Sequence, residues 1–387
     1  MTYKRDGMRL STRKNSDNKL SGETGGEIAA QPGELWTWGY NQNGGLGLND
    51  TTNRYSPVQV GALTTWKYIF PGVYGHAAIK DDGTLWAFGV GYTGMMGNNS
   101  TLDRSSPIQV GSDTDWYIAS TNQYHMMAIK NNRTLWVWGE NGNGQLGLND
   151  TTNRSSPVQL AGSWSVVAAG YQFSVGIKTD GTLWTWGQGT FGKLGSNSTA
   201  NRSSPVQVGS DTTWTKIDAG TDSACGIKSN GTLWTWGYNG YGGLGLNDGN
   251  NRSNPTQVGT STDWVQADVG GLNGGGVKSN GQLWMWGYNY YGTVGDGNGS
   301  GNGTDRSSPV QVGSLTNWKF VSIGGLYNTL AIKTDGTLWG WGYTPYGAVG
   351  DGGGGWRTSP IQVGTLATWN TDEYQFGAGY GHSAAIK

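Results

Sequence analysis

Side chains able to do chemistry are few in this 387-residue chain. It holds three histidines, one cysteine and only 13% charged residues. His76, His125 and His382 each fall near the start of an apolar segment ending in Ile-Lys, in what should be neighbouring units of a repeat. A metal centre needs converging ligands, and no acid or cysteine accompanies them at a regular spacing, so they read as packing or backbone-capping groups. Cys225, in Ser-Ala-Cys-Gly-Ile-Lys, reads as a small core residue rather than a nucleophile. Asp296-Gly-Asn-Gly-Ser300 has the opening spacing of a calcium loop, but Ser307 stands where a bidentate Glu is needed. With no nucleophile-elbow, phosphate-loop or zinc-hydrolase motif, the expectation is a non-enzymatic protein with no metal and no cofactor.

What the chain has in abundance is 70 Gly, 21 Trp and 19 Tyr. Leu-Trp recurs at 35, 85, 135, 183, 233, 283 and 338, in seven units at intervals of 50, 50, 48, 50, 50 and 55 residues. A fixed period of this size marks a repeat architecture. The phrase Ile177-Lys-Thr-Asp-Gly-Thr-Leu-Trp-Thr-Trp-Gly187 reads as two strands joined by an Asp-Gly turn, because Asp-Gly accepts the positive φ angles of a tight hairpin. Each unit supplies four such segments: strand A at Trp-x-x-Ile/Val, B ending in Ile/Val-Lys, C at Leu-Trp-x-Trp-Gly, and D at Pro-x-Gln-Val/Leu. Four antiparallel strands in each of seven units predict an all-β, seven-bladed propeller. Ile386-Lys387 ends a B segment, and Glu34-Leu35-Trp36 begins a C segment that has no B before it. The two ends therefore complete one blade, with strands A and B from 369–387 and C and D from 34–60, leaving no open sheet edge between first and last blades.

The pattern Asp-Gly-Thr-Leu-Trp-x-Trp-Gly-Tyr-Asn-x-x-Gly-x-Leu-Gly, followed by Ser-Pro-x-Gln-Val, resembles the regulator-of-chromosome-condensation repeat over residues 33–387. That resemblance implies the same seven-bladed fold with a blade shared between the termini. Its functional implication is diffuse, since members include a GTPase exchange factor, a plant UV-B photoreceptor and bacterial β-lactamase inhibitors. The longest insertion, 296–305, is short for the exchange factor's wedge. Gly355-Trp356-Arg357 looks like the photoreceptor's motif but stands once, between strands C and D, and reads as coincidence.

Function is sought where the repeats differ. The A-to-B and C-to-D loops emerge on one face, and that face is aromatic: Tyr74, Tyr124, Tyr171, Phe173, Tyr327 and Tyr380 in the first set, Phe191, Tyr241, Tyr291 and Tyr346 in the second. Tyrosine gives broad contact area with few rotors and a polar tip, which suits a protein or glycan ligand; the plainer alternative is that these rings cover loop glycines. Residues 1–32 form a separate arm with six basic residues, Lys4, Arg5, Arg9, Arg13, Lys14 and Lys19, and four acidic ones. It reads as disordered alone and ordered on docking. A formal net charge of −1 disfavours nucleic acid, and the sequence shows neither a signal peptide nor a transmembrane segment. The expectation is an interaction or structural propeller, anchored by its arm in a larger assembly such as a phage fibre, decoration or tail subunit, in a virion or the cytoplasm. The alternative is an intracellular regulator that binds a small GTPase or nucleoprotein.

Overall fold

A computed structural model describes residues 30–299, 304–325, 327–365 and 368–387. Residues 1–29, which hold the five arm residues Lys4, Arg5, Arg9, Arg13 and Lys14, lie outside the described residues. The compact body, Gln31–Lys387, contains seven four-stranded antiparallel sheets. In blade 1 strand A is Trp66–Pro71, B is Gly75–Lys80, C is Leu85–Gly89 and D is Arg104–Gln109. Blades 2 to 6 repeat this order over 116–160, 164–207, 214–257, 264–311 and 318–362. Blade 7 joins the ends: Leu35 pairs with Ile386 and Gly39 with His382. Gln31 is also held there, its carbonyl accepting hydrogen bonds from the Asn370 and Gln375 side chains.

Six of the seven blade junctions are pinned the same way. The second Trp of strand C is fully buried and its indole N–H donates to a carbonyl in the preceding blade's C–D loop. The pairs are Trp38 to Ala348, Trp138 to Met95, Trp186 to Gln145, Trp236 to Lys193, Trp286 to Gly243 and Trp341 to Thr293, all at 2.8–3.0 Å. Each ring therefore adds a satisfied polar contact, worth about 1 kcal/mol, to its large apolar burial. At the seventh junction Phe88 has no N–H, and the His76 ring packs on it at 4.9 Å. In three of the C–D loops an acid and the arginine four residues on close the loop on itself: Asp50–Arg54, Asp150–Arg154 and Asp248–Arg252 form ion pairs at 2.5–2.6 Å. The outermost strands carry Pro57, Pro107, Pro157, Pro205, Pro255, Pro309 and Pro360, which remove donors from edges that would otherwise invite pairing.

Blade 7 departs from the expected register. Trp318 and Ile323 stand five positions apart at the ends of the six-residue strand A of blade 6, whereas the equivalent Trp369 and Ala378 stand nine apart. The extra residues leave the sheet, and strand A shrinks to Phe376–Ala378. The extruded segment crosses the central channel. The Tyr374 carbonyl accepts from Ile69 N–H in blade 1, Glu373 lies 3.5 Å from Lys216 in blade 4, and Thr371 accepts from Lys319 in blade 6.

Candidate functional site: the aromatic loop face

A left-handed glycine sets each C–D loop. At Gly242 (φ +74°) a Cβ would stand 2.5 Å from the Ser307 backbone of the next blade, so only glycine lets the loop touch its neighbour there. The residue just before this glycine is thereby delivered to the blade junction. In blades 3 to 6 it is aromatic: Phe191, Tyr241, Tyr291 and Tyr346. Each meets the residue that follows the strand C glycine of the next blade. Ring centroids lie 5.1 Å apart for Phe191–Tyr238, 5.2 Å for Tyr241–Tyr288, 4.6 Å for Tyr291–Tyr343 and 5.0 Å for Tyr346–Tyr40. Four successive junctions thus carry one ring pair each, forming an arc over more than half the face.

The expected residues divide as follows. Tyr327, on an A–B loop, joins the arc at 5.2 Å from both Tyr288 and Tyr291. Tyr74 pairs with Tyr380 at 6.1 Å, and Tyr124 with Tyr171 at 6.0 Å. Phe173, expected on this face, is instead fully buried: it is the first residue of its strand B and packs in the core, with the Lys193 ammonium over its ring. Phe191, Tyr241 and Tyr346 remain 41%, 42% and 37% exposed. Sequence reading missed Tyr40, Tyr238, Tyr288 and Tyr343, which belong to the repeated Gly-Tyr-Asn phrase or its variants and so looked like frame. It also set aside Trp356, 42% exposed, whose ring stands 5.6 Å from Tyr291 and 6.1 Å from Tyr290. The ring that binds the centre of the arc is Tyr288, where burial, with Tyr291 and Tyr327 alongside, pushes the phenol up to about 12.

The remaining three junctions hold no ring at these positions and are mostly polar. Their corresponding pairs are Asn43 with Val90, Thr93 with Glu140, and Asn143 with Gln188. Asn143 accepts from Asn201, Gln188 donates to Gln172, and burial raises the Glu140 carboxyl above its usual range.

The histidines lie within this polar part. His76 and His382 meet edge to face at 4.6 Å, and both are fully buried. His125 Nε2 lies 2.8 Å from the Ser174 hydroxyl, which spends its own proton on the Gln145 carbonyl; Nε2 of His125 is therefore the protonated nitrogen. Burial holds His125 down at about 3 and His382 at about 4. Among the described residues no group of three or more His, Cys, Asp or Glu is placed to hold a metal ion. Asp296 is committed locally, to Arg306 at 2.6 Å and to Asn289 and Asn298, so it repeats the Asp–Arg pair of the other rims. Cys225 is buried, and burial raises its thiol well above the usual range. No helix among the described residues is long and apolar enough to cross a membrane.

A profile of the regulator of chromosome condensation (RCC1) repeat matches residues 32–79, 134–177, 180–227, 230–272 and 280–331, more than half of the chain. The chain belongs to this repeat family. A second profile of the same repeat matches 164–193 and 214–242. No curated protein matches the sequence. Among solved structures, Prp20p from Saccharomyces cerevisiae, reported with its binding to Gsp1p and histones, aligns over 92% of both chains with a TM-score of 0.81 and 17% identity. Yeast RCC1 (Prp20) bound to Kap60 aligns over 100% of this chain and 97% of that one, with a TM-score of 0.83 and 17% identity. Human WBSCR16 covers 91% of this chain and 98% of its own, with a TM-score of 0.78 and 19% identity. At these identities the likeness establishes the propeller and leaves its faces to be argued from their own residues.

Proposed function

We propose that this RCC1-repeat propeller is a non-enzymatic binding protein whose aromatic arc receives a protein partner. The single observation that carries the reading is the run of four inter-blade ring pairs, with Phe191, Tyr241, Tyr346 and the adjoining Trp356 partly open to solvent. Rings fixed by neighbouring rings present apolar area without losing rotamer freedom on binding, and aromatic anchors dominate interface energetics. The solved relatives whose descriptions name partners bind proteins, which favours a protein over a glycan on this face.

Affinity capture from cell extract with the full chain tests this. Proteins retained by the wild type should be lost with Tyr241→Ala/Tyr346→Ala and kept with Asn143→Ala. Equal retention by all three would remove the arc from the account. The finer expectation of anchorage in a virion or other assembly rests on the composition of residues 1–32 and on the near-uniformity of the repeats. Deletion of 1–32 should leave a folded propeller that no longer co-sediments with its assembly, and unchanged co-sedimentation would refute anchorage. The regulator reading, with a Gsp1p-like or nucleoprotein partner, is carried over from Prp20p; identifying the captured protein separates the two.

A further inference from the structure

The inner strands of the seven blades enclose a cavity of about 210 Å³ on the propeller axis. Its lining runs from Glu373 and Tyr374 at one end to the A–B loops at the other, where Tyr380 and the loop glycines stand on the same face as the aromatic arc. Two carboxylates share its wall, Asp218 in blade 4 and Asp268 in blade 5, at the same register position of adjacent inner strands. The described residues that line the cavity include these two acids and Glu373, and no Lys, Arg or His.

Local structure explains an acceptor at this position but not a charge. Asp218 accepts from Val269 N–H at 2.8 Å, and Asp268 from Ile323 N–H at 2.9 Å, each latching its blade to the next. In blades 2 and 6 a neutral serine makes the same latch: Ser120 accepts from Ala169 N–H and Ser322 from Ala378 N–H. Between blades 7 and 1 the latch is dropped from both sides at once, with Gly377 offering no acceptor and Pro71 no donor. Serine therefore suffices for the frame. Burying two like charges side by side is costly, and burial does raise both Asp218 and Asp268 above the usual carboxylate range. The cavity is also aromatic, with Phe70, Tyr374, Phe320 and Phe376 among its lining.

We propose that this channel is a binding site for an alkylammonium group, with Asp218 and Asp268 as its counter-charges and the surrounding rings as its apolar and cation–π walls. The cavity is smaller than the 300 Å³ or so at which pockets for drug-sized ligands begin, so it fits a single side chain or a small amine. A cation there cancels the like-charge repulsion and gains ring contacts, which water does not supply. Two sources share the chemistry: a lysine side chain of the partner seated on the arc, or a free small amine. The site extends the protein-binding reading, and its test is independent of that reading because no partner is present.

The experiment is calorimetric titration of the full chain with n-butylammonium, with 1-butanol as the uncharged control. Butylammonium should bind with a Kd on the order of 1–10 mM, and butanol at least tenfold more weakly. Asp218→Ser/Asp268→Ser, which copies Ser120 and Ser322, should fold and weaken butylammonium at least tenfold; Asp218→Asn/Asp268→Asn repeats the test if the serine pair does not fold. No butylammonium binding by the wild type, or binding unchanged in the folded neutral variants, overturns the proposal. A second arm titrates a blocked tetrapeptide amide carrying one lysine. Binding as tight as butylammonium assigns the site to a protein side chain, and binding of the amine alone assigns it to a small molecule.

Discussion

The aromatic and polar parts of the loop face are built on the same backbone yet stabilised by different means. At the junctions of blades 3 to 7 the C–D loop ring meets a ring, and the cost of ordering it is offset by aromatic contact. At the junctions of blades 7, 1, 2 and 3 the same positions hold Asn43, Thr93 and Asn143, and the space below holds His382, His76 and His125. One region offers a ready apolar surface outward. The other keeps buried, neutral imidazoles inward and ties its exposed amides to one another. Uniform repeats thus fix the frame, while a single variable position per blade divides the face into unlike sectors.

Acid should affect the two sectors most unequally. His382 has its pKa near 4 in the fold against about 6.5 when unfolded, so the stability it confers is fully present above pH 6.5 and is lost as pH falls through about 4. The total is about 3 kcal/mol. Asp218 works in the opposite sense: raised to about 6, it favours the fold below pH 4 and loses that contribution as pH rises through 6. Backbone hydrogen exchange followed from pH 7 to pH 4, corrected for the intrinsic exchange rate at each pH, should therefore lose protection first in blades 7, 1 and 2. A uniform loss of protection across all blades would contradict the division.

Removing one ring from each sector gives the next effect. Tyr291→Ala deletes contacts to Tyr343, Tyr327 and Trp356 and should cost about 2–3 kcal/mol in denaturant unfolding, whereas Asn143→Ala should cost under about 1 kcal/mol. Comparable losses would mean that the arc contributes no more to the frame than the polar sector does.

A smaller, stabilising change sharpens the account of the exceptional junction. In blades 3 and 7 a serine and a tryptophan donate to one carbonyl: Ser174 and Trp186 to Gln145, Ser383 and Trp38 to Ala348. His76 and Phe88 occupy the two corresponding positions in blade 1. The double change His76→Ser/Phe88→Trp should raise stability by about 1–2 kcal/mol, read by thermal unfolding, and a loss would show that the histidine pair is itself a stabilising contact.

Much of the frame was legible because identical residues recur at fixed offsets: the Leu-Trp period, the strand C glycine and the split hairpin at Gly33 and Lys387 state the blade count and the ring closure directly. The arc was half legible. Phe191, Tyr241, Tyr291 and Tyr346 vary between repeats and so drew notice, but their partners Tyr238, Tyr288 and Tyr343 stand about one repeat away within the common phrase, Tyr40 stands at the other end of the chain, and the pairing exists only across a blade junction. Phe173 was misread because a strand's first residue and a loop's last are adjacent in sequence while one faces the core. Asp218 and Asp268 drew no notice because a charge in an inner strand becomes conspicuous only when six other strands close around it. The four-residue excess between Trp369 and Ala378 could have been counted in the sequence, but its passage across the channel depends on Ile69, Lys216 and Lys319 in three other blades.

The partner is expected on the aromatic arc. Hydroxyl-radical footprinting of the full chain, with and without the captured partner, tests it with an internal control, since Tyr92 is 67% exposed on the polar sector. Protection of Tyr241, Tyr346 and Trp356 with Tyr92 unchanged is the expected result. Protection of Tyr92 while those three stay reactive would place the partner elsewhere.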